Sequence, residues 1–243
     1  LHSQPALWLK LGTKEVYLLP QLQQAPFGYL PPLFRKASAV SVDRPRAAAS
    51  RTPDQPDADA RRTTMKVILE SDGSAVILGH ERLSGLIALQ FRAALRRVPA
   101  KQLRQYLERA FFGRFFLGAV ITRLTFKHAK KLNRPLEMIY RLQVGRLARA
   151  EKRPGGGKRL VLRSGFFPAL VGRIYARLAR RRLPLRLGPM GPMSLRLTVQ
   201  IPAGFEPTEL PRPVALSTPF GRFQLKATAR KGAIQLHRSL QIP

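Results

Sequence analysis

The stretch Thr64–Leu78, TMKVILESDGSAVIL, predicts a β-hairpin and indicates a β-rich fold. Thr64–Glu70 is a strand pattern of β-favouring and apolar residues, and Ala75–Leu78 is the returning strand. Asp72 and Gly73 lie between them, and this dipeptide is typical of the tight turn of a hairpin. Two antiparallel strands joined by a tight turn are therefore expected here.

The C-terminal part of the chain carries the same kind of pattern. Leu195–Ile201 alternates strictly between apolar and polar residues, which predicts a strand whose odd-numbered side chains face inward. Further strand patterns follow at Val214–Leu216, Phe220–Leu225 and Ala233–Leu240. Short strands separated by Gly and Pro turns at close spacing indicate a β-sandwich or barrel.

Two amphipathic helices are predicted between these regions. The first begins at Pro99 and can end at Gly113, and the second covers residues 166–182. Val120–Phe126 and Met138–Val144 lie between the helices and alternate well enough to form strands. The predicted fold class is therefore mainly β (α+β), with a β-sandwich region that carries two amphipathic helices.

The N-terminal part is predicted to be a separate unit. Ala6–Pro20 predicts two short strands around a Gly-Thr turn, which makes a β-hairpin. Prolines, small residues and a lack of periodicity are typical of a linker, and they predict one before the next strand. The expected division is residues 1–35, a linker at 36–63, and a β-rich region at 64–243. Two sub-domains, 64–165 and 183–243, joined by the helix 166–182, are an alternative within the last region.

The composition excludes several classes of protein. The chain has 243 residues with 44 Lys and Arg against 13 Asp and Glu, a formal net charge of +31. A hydrophobic content of 44% excludes a disordered basic tail. Because cysteine is absent, a disulfide scaffold, a Cys-ligated metal site and a cysteine nucleophile within these residues are excluded. No run approaches the roughly 18 uninterrupted apolar residues of a membrane-spanning helix.

Most of the positive charge is concentrated in one stretch. Residues 82–186 hold 27 of the Lys and Arg residues and three acids. Arginine favours bidentate contacts with phosphate, so the stretch predicts polyanion binding, to nucleic acid or to an anionic membrane surface. A packed helix with an arginine-rich solvent face is the alternative. The candidate polyanion-binding residues are Arg173, Arg177, Arg180, Arg181, Arg182 and Arg186.

Catalytic and metal-binding patterns are weak. The histidines His2, His80, His128 and His237 are scattered, and no pair of them has the spacing of metal ligands. The glycines at 155–157 lie between basic residues, but a strand pattern follows them rather than the helix of a phosphate-binding loop. A turn is the better interpretation. We therefore expect no cofactor and no metal site.

Taken in order, the motifs along the chain resemble those of a bacterial multidomain transglutaminase-like protein. Such proteins place a β-sandwich before a papain-like transglutaminase core and further β-rich domains after it. The similar segments in the N-terminal half are Trp8–Pro20, Ala25–Pro32, Ser71–Ser74, Leu83–Gly85 and Phe91–Arg92. The C-terminal segments similar to the closing β-domain of that family are Arg182–Arg186, Ile201–Phe205, Glu209–Pro211 and Phe220–Phe223.

The resemblance implies that residues 1–35 are the terminal strands of the catalytic core, with the catalytic cysteine upstream of Leu1. In the family, a catalytic histidine opens the first of these strands, and an aspartate precedes a proline at the end of the second. Leu19 occupies the aspartate position ahead of Pro20, and His2 reaches the histidine position only if the register slips. The resemblance therefore implies the non-catalytic end of a degenerate enzyme, exported to the periplasm or cell envelope.

Two functions follow as expectations. The first is a non-catalytic accessory region of a transglutaminase-like protein that contacts a protein or envelope partner and, if the chain is a fragment, the upstream catalytic domains of the same protein. The second is a polyanion-binding module that uses residues 82–186, with nucleic acid or anionic lipid as the partner. An independent enzyme comes third, because no nucleophile with a base and an orienting group is visible.

Overall fold

The computed structural model describes residues 4–42, 50–55, 58–152, 156–162, 180, 182, 190–230 and 232–242. Its strands are β1 Leu7–Leu11, β2 Lys14–Leu18, β3 Ser38–Ala39, β4 Ser50–Arg51, β5 Arg61–Leu69, β6 Ala75–Leu83, β7 Val120–Lys127, β8 Leu136–Val144, β9 Ala148–Lys152, β10 Lys158–Leu162, β11 Met190–Gln200, β12 Val214–Thr218, β13 Gly221–Arg230 and β14 Ala233–Ile242. Its helices are α1 Gly85–Arg97 and α2 Ala100–Ala110, with short 3-10 turns at Pro32–Phe34 and Phe112–Arg114. The expected mainly β, α+β class is confirmed.

Eight of the strands form one mixed sheet, in the order β12-β13-β14-β11-β5-β6-β8-β7. Neighbours run antiparallel except at the centre, where β11 pairs with β5 in parallel. The pairing begins with Met193 opposite Arg61 and ends with Gln200 opposite Ile68. A parallel pair cannot be joined by a tight turn and needs a long crossover connection. Strands from residues 61–144 and from residues 190–242 therefore share one sheet, while the expected domain boundaries stay predictions.

The hairpin predicted at residues 64–78 is confirmed as β5 and β6. At its turn, Gly73 has a φ of +91°, and a Cβ there would lie 2.3 Å from the carbonyl oxygen of Ala148. The N–H groups of Leu147 and Ala148 donate to the carbonyl oxygen of Gly73 at 2.9 and 3.0 Å. Glycine is required here because of the left-handed backbone and because another segment packs directly on the turn.

The hydrophobic core lies on one side of the sheet. Among the most deeply buried residues of the strands are Met65, Val67, Ile77, Met138 and Leu142. Leu107 of α2 and Phe112 of the following turn pack against them. Because successive side chains of a strand point to opposite sides, the intervening residues face away from the helices. We call the helix-covered side the core face and the other side the open face.

Within the described part of the chain there are two α-helices, and one of them is a predicted one. α2 confirms the helix predicted from Pro99, and the 3-10 turn follows it after Phe111. The other predicted helix, residues 166–182, lies outside the described residues apart from Arg180 and Arg182.

Helix α1 is absent from the sequence prediction. Its side chains at a spacing of four residues, Ile87, Phe91 and Leu95, pack against the buried residues Leu83 and Leu136. This spacing gives one apolar side, which is the side that a packed helix needs.

The N-terminal hairpin is confirmed as β1 and β2. Leu11 pairs with Lys14 across the turn, where Gly12 has a φ of +61°.

Within the predicted linker, β3 pairs with β4, and Asp59 is only 8% exposed. Part of this segment is therefore packed against the rest of the chain.

Gly79 of β6 lies beneath a buried aromatic ring, because a Cβ there would come within 2.0 Å of Cζ of Tyr140. We expect Gly79→Ala to lower the free energy of unfolding by about 2 kcal/mol, since the ring would have to move inside a close-packed core. Gly145→Ala is the matched control, because nothing lies within 4 Å of the Cβ position there. Urea denaturation measures both variants, and equal stabilities would contradict the described packing.

Candidate functional site

The open face of the eight-stranded sheet carries a dense array of basic side chains. Its exposed Lys and Arg residues are Arg62, Lys66, Arg82, Arg123, Lys127, Arg141, Arg196, Arg222, Lys226 and Arg230. Among the described strand residues on this face, Glu137 is the one carboxylate. It lies 3.2 Å from Nε2 of His80 and 3.7 Å from Nε of Arg82. The face therefore has a large uncompensated positive charge, which attracts anions.

The pairing register sets several of these cations side by side. Arg62 of β5 lies opposite Arg82 of β6, and Arg123 of β7 lies opposite Arg141 of β8. Like charges directly opposite each other destabilise a sheet. A polyanion would neutralise them and would release the small counterions that screen each phosphate.

Between the cations, the open face carries hydroxyl, amide and imidazole groups, together with aliphatic side chains such as Leu78 and Ile139. The polar groups include Thr64, Thr198, Gln200, Gln235 and His237. No described strand residue on this face is Phe, Tyr or Trp. Single-stranded nucleic acids are bound largely by stacking of bases on aromatic rings, so the chemistry of this face favours anionic groups over bases.

The arginines that the sequence singles out lie mainly outside the described residues. Arg180 and Arg182 are described, and both are exposed. Arg173, Arg177, Arg181 and Arg186 lie outside, as does the weak catalytic candidate His2. The predicted arginine cluster therefore stays a prediction.

The position that the family resemblance gives to a catalytic aspartate is buried and apolar. Leu19 is 7% exposed and belongs to a small cluster with Tyr17 and Leu30. A leucine offers no oxygen with which to orient an imidazole, so no acid stands at this position.

One carboxylate is fully enclosed on the core face. Glu81 accepts hydrogen bonds from Nε of Arg61 and Oγ1 of Thr63, both at 2.9 Å, and from the hydroxyl of Tyr140 at 3.3 Å. Burial, together with the charge of Glu81, raises the pKa of Tyr140 well above its ordinary value, so the phenol remains a donor. Glu81 is 0% exposed and acts as a structural acceptor rather than a group that could contact a substrate.

Asp59 joins the N-terminal segment to helix α1. Its carboxylate pairs with Arg35, accepts the hydroxyl of Tyr29 at 2.7 Å, and accepts the N–H of Leu86 at 2.6 Å. Burial and the hydrogen bond to Asp59 raise the pKa of Tyr29 above its ordinary value. The helix N-terminus favours a negative charge, so Asp59 satisfies it from a distant segment.

A cleft of about 720 Å³ lies between the N-terminal segment and the loop after β7. Lys14, Tyr17, Phe27 and Arg134 are among its lining residues. Arg92 also lines it, but this guanidinium is buried and donates to the carbonyl oxygens of His128, Lys131 and Arg134 at 3.4, 3.1 and 2.7 Å. Arg92 therefore holds the loop in place.

Two further findings limit the chemistry of the described part of the chain. Within it, no three His, Cys, Asp or Glu side chains form a group that could hold a metal ion. Nor is any described helix long and apolar enough to cross a membrane.

The open face cannot be read from the sequence because its cations come from six strands spread over residues 62–230. The sequence does show that apolar and polar residues alternate, so Arg196 is expected to point away from the core between Leu195 and Leu197. Alternation gives the side of each strand but not its neighbours, so it does not show which cations meet.

Removing the Asp59 carboxylate tests the link between the N-terminal segment and α1. We expect Asp59→Ala to lower the free energy of unfolding by about 3 kcal/mol, because it leaves Arg35 as a buried charge without its partner. Asp54→Ala is the control, since Asp54 pairs with the exposed Lys36 and its loss should cost about 0.5 kcal/mol or less. Urea denaturation measures both, and similar losses would contradict the role of Asp59.

Residues 158–243 match the family DUF3858, described as a domain of unknown function with solved-structure structure. This part of the chain contains β10 to β14, and four of those strands build half of the large sheet. No match to the chain was found among curated proteins or among solved structures. The C-terminal part of this chain is therefore similar to that family.

Proposed function

We propose that this chain is a non-catalytic accessory region of a transglutaminase-like protein and that it contacts a protein or envelope partner. The match of residues 158–243 to DUF3858 carries the proposal, because that family is typically associated with transglutaminase-like proteins. The order of motifs in the N-terminal half supports it. The upstream catalytic domains of the same protein are then a further partner, and the location is the periplasm or cell envelope.

The proposed lack of catalysis is supported by the residues at the family positions. The chain contains no cysteine, and Leu19 stands where the family has an aspartate. An imidazole without that acid loses the group that fixes its tautomer and orientation. On this proposal, the nucleophile of the parent protein is supplied by another part of it.

An activity assay tests this function. We expect no incorporation of a primary amine and no release of ammonia when the chain is incubated with a glutamine-containing protein. The matched control is His2→Ala, assayed under the same conditions. Turnover by the unmutated chain that is lost in His2→Ala would overturn the proposal.

Polyanion binding by the open face is a second candidate function. The observation that favours it is the charge of the described strand residues on this face, where ten exposed Lys and Arg side chains stand against one carboxylate, itself next to His80 and Arg82. A β-sheet side with this charge matches the anionic surface of nucleic acid or of an anionic membrane. The candidate surface differs from residues 82–186, since Arg62, Arg196 and Arg222 lie outside that stretch.

Salt-dependent binding of duplex DNA, used as a probe polyanion, tests this second function. We expect the affinity to fall steeply with salt, by a slope of about −0.9 in log K against log salt for each phosphate contact. The open-face variant Lys66→Gln/Arg141→Gln/Arg196→Gln should bind about tenfold more weakly or worse, with a shallower slope.

The matched control is Arg97→Gln/Lys101→Gln/Arg104→Gln, which removes three exposed charges from the helices instead. It should keep most of the affinity of the parent chain. Equal losses in the two variants, or no binding of duplex DNA, RNA or anionic vesicles at low salt, would contradict the assignment to the open face.

A further inference from the structure

A small pocket of about 290 Å³ opens on the open face where β5, β11, β14 and β13 lie side by side. Its polar lining consists of Arg62, Ser194, Arg222, Gln224, Ser239 and Gln241. Pro192, Met193 and Leu240 also line the pocket, although the pairing register turns the side chains of Met193 and Leu240 toward the core face. None of the described residues that line the pocket carries a carboxylate.

The register explains how the polar residues meet. Arg62 pairs with Ser194, Ser194 with Ser239, and Ser239 with Gln224, so these four residues form one row across four strands. Neighbouring strands are about 4.8 Å apart, which places the strands of Arg62 and Gln224 about 14 Å apart. Arg222, two residues before Gln224 on β13, lies on the same side of the sheet. The two serine hydroxyls therefore lie between two long basic side chains.

Neither guanidinium is committed to another group. Within the described ranges, the side chains of Arg62 and Arg222 make no ion pair and no hydrogen bond. Arg62 also lies opposite Arg82, which adds a like charge beside it. Both arginines are therefore available to an anion from solvent.

We propose that this pocket binds a phosphate group. Two guanidinium forks can approach its oxygens from either side, and each fork suits bidentate contact with phosphate. The hydroxyls of Ser194 and Ser239 and the amide of Gln224 add neutral donors. The volume suits a phosphate and the atoms next to it rather than a larger ligand, since typical ligand pockets begin at about 300 Å³.

This inference rests on the polyanion-binding proposal, because both assign anion binding to the open face. It differs in that a single small anion should saturate the pocket without any polymer. A phosphate group can come from a free phosphorylated molecule or from a lipid headgroup, and the experiment separates these sources.

An amide-resolved NMR titration of the full chain with inorganic phosphate at constant ionic strength tests the pocket. We expect saturating shifts at Ser194 and Ser239, and affinity reduced about tenfold in Arg62→Gln and in Arg222→Gln, since each loses a charge-assisted hydrogen bond. Arg141→Gln removes the same charge from the same face outside the pocket and should stay within about twofold of the parent.

Shifts that do not saturate, or an equal loss in Arg141→Gln and Arg62→Gln, would overturn the pocket. The amide spectra also report folding, and both pocket arginines are exposed, so a folded variant is expected.

Phosphatidylcholine vesicles with and without phosphatidic acid separate the two sources of phosphate. Vesicle binding that Arg62→Gln/Arg222→Gln abolishes supports the pocket with a lipid headgroup as its ligand. Saturation by inorganic phosphate with no vesicle binding, or with vesicle binding that the double variant retains, supports it with a free phosphorylated molecule.

Duplex DNA distinguishes failure of the pocket from failure of the wider function. Salt-dependent DNA binding without a saturating phosphate titration overturns the pocket and leaves polyanion binding by the face standing. A saturating phosphate titration without DNA binding supports the pocket and overturns polyanion binding by the face.

Discussion

The parallel pairing of β11 with β5 is the constraint on which the rest of the structure depends. It joins four strands from residues 61–144 to four from residues 190–242, in an otherwise antiparallel sheet. The start of β11 is held closely, since a Cβ on Gly191 would lie 1.4 Å from the carbonyl oxygen of Asp59. The side chain of Asp59 also holds Arg35 and the start of α1. Asp59 therefore links the N-terminal segment to α1 and lies against the start of β11.

The two faces of this sheet differ in where their charged groups lie: buried and paired on the core face, and exposed to water on the open face. On the core face, the carboxylate of Glu81 is buried with Arg61 and accepts hydrogen bonds from Thr63 and Tyr140, as a buried charge requires. On the open face, the cations remain in water, where the repulsion between neighbours is weakened by the high dielectric constant and by salt. The buried charge is therefore paired, and the excess positive charge of the open face is in contact with water. The cost of like charges facing each other falls further when an anion binds between them.

Local patterns in the sequence predict most of the strands but not their arrangement. The hairpin around Gly73 and the alternation from Leu195 to Val199 depend on neighbouring residues alone, and both are present in the structure. Helix α1 is missed because its apolar residues follow directly on the strand pattern of β6, and because Asp59, far away in sequence, satisfies its N-terminus. The parallel pairing cannot be predicted from alternation, since that signal gives the side of each strand and not its neighbour.

The same limitation explains why the charge of this chain is hard to interpret from the sequence. Density along the chain singles out residues 82–186, whereas the open face gathers cations from Arg62 to Arg230. The phosphate pocket is the extreme case, because Arg62 and Arg222 are 160 positions apart and share a pocket only through three successive strand pairings. A one-residue slip in any of these pairings would turn the following strands' side chains to the opposite face and separate the arginines from the serines. The candidate site is therefore a property of the β5–β11 join and not of any basic run in the sequence.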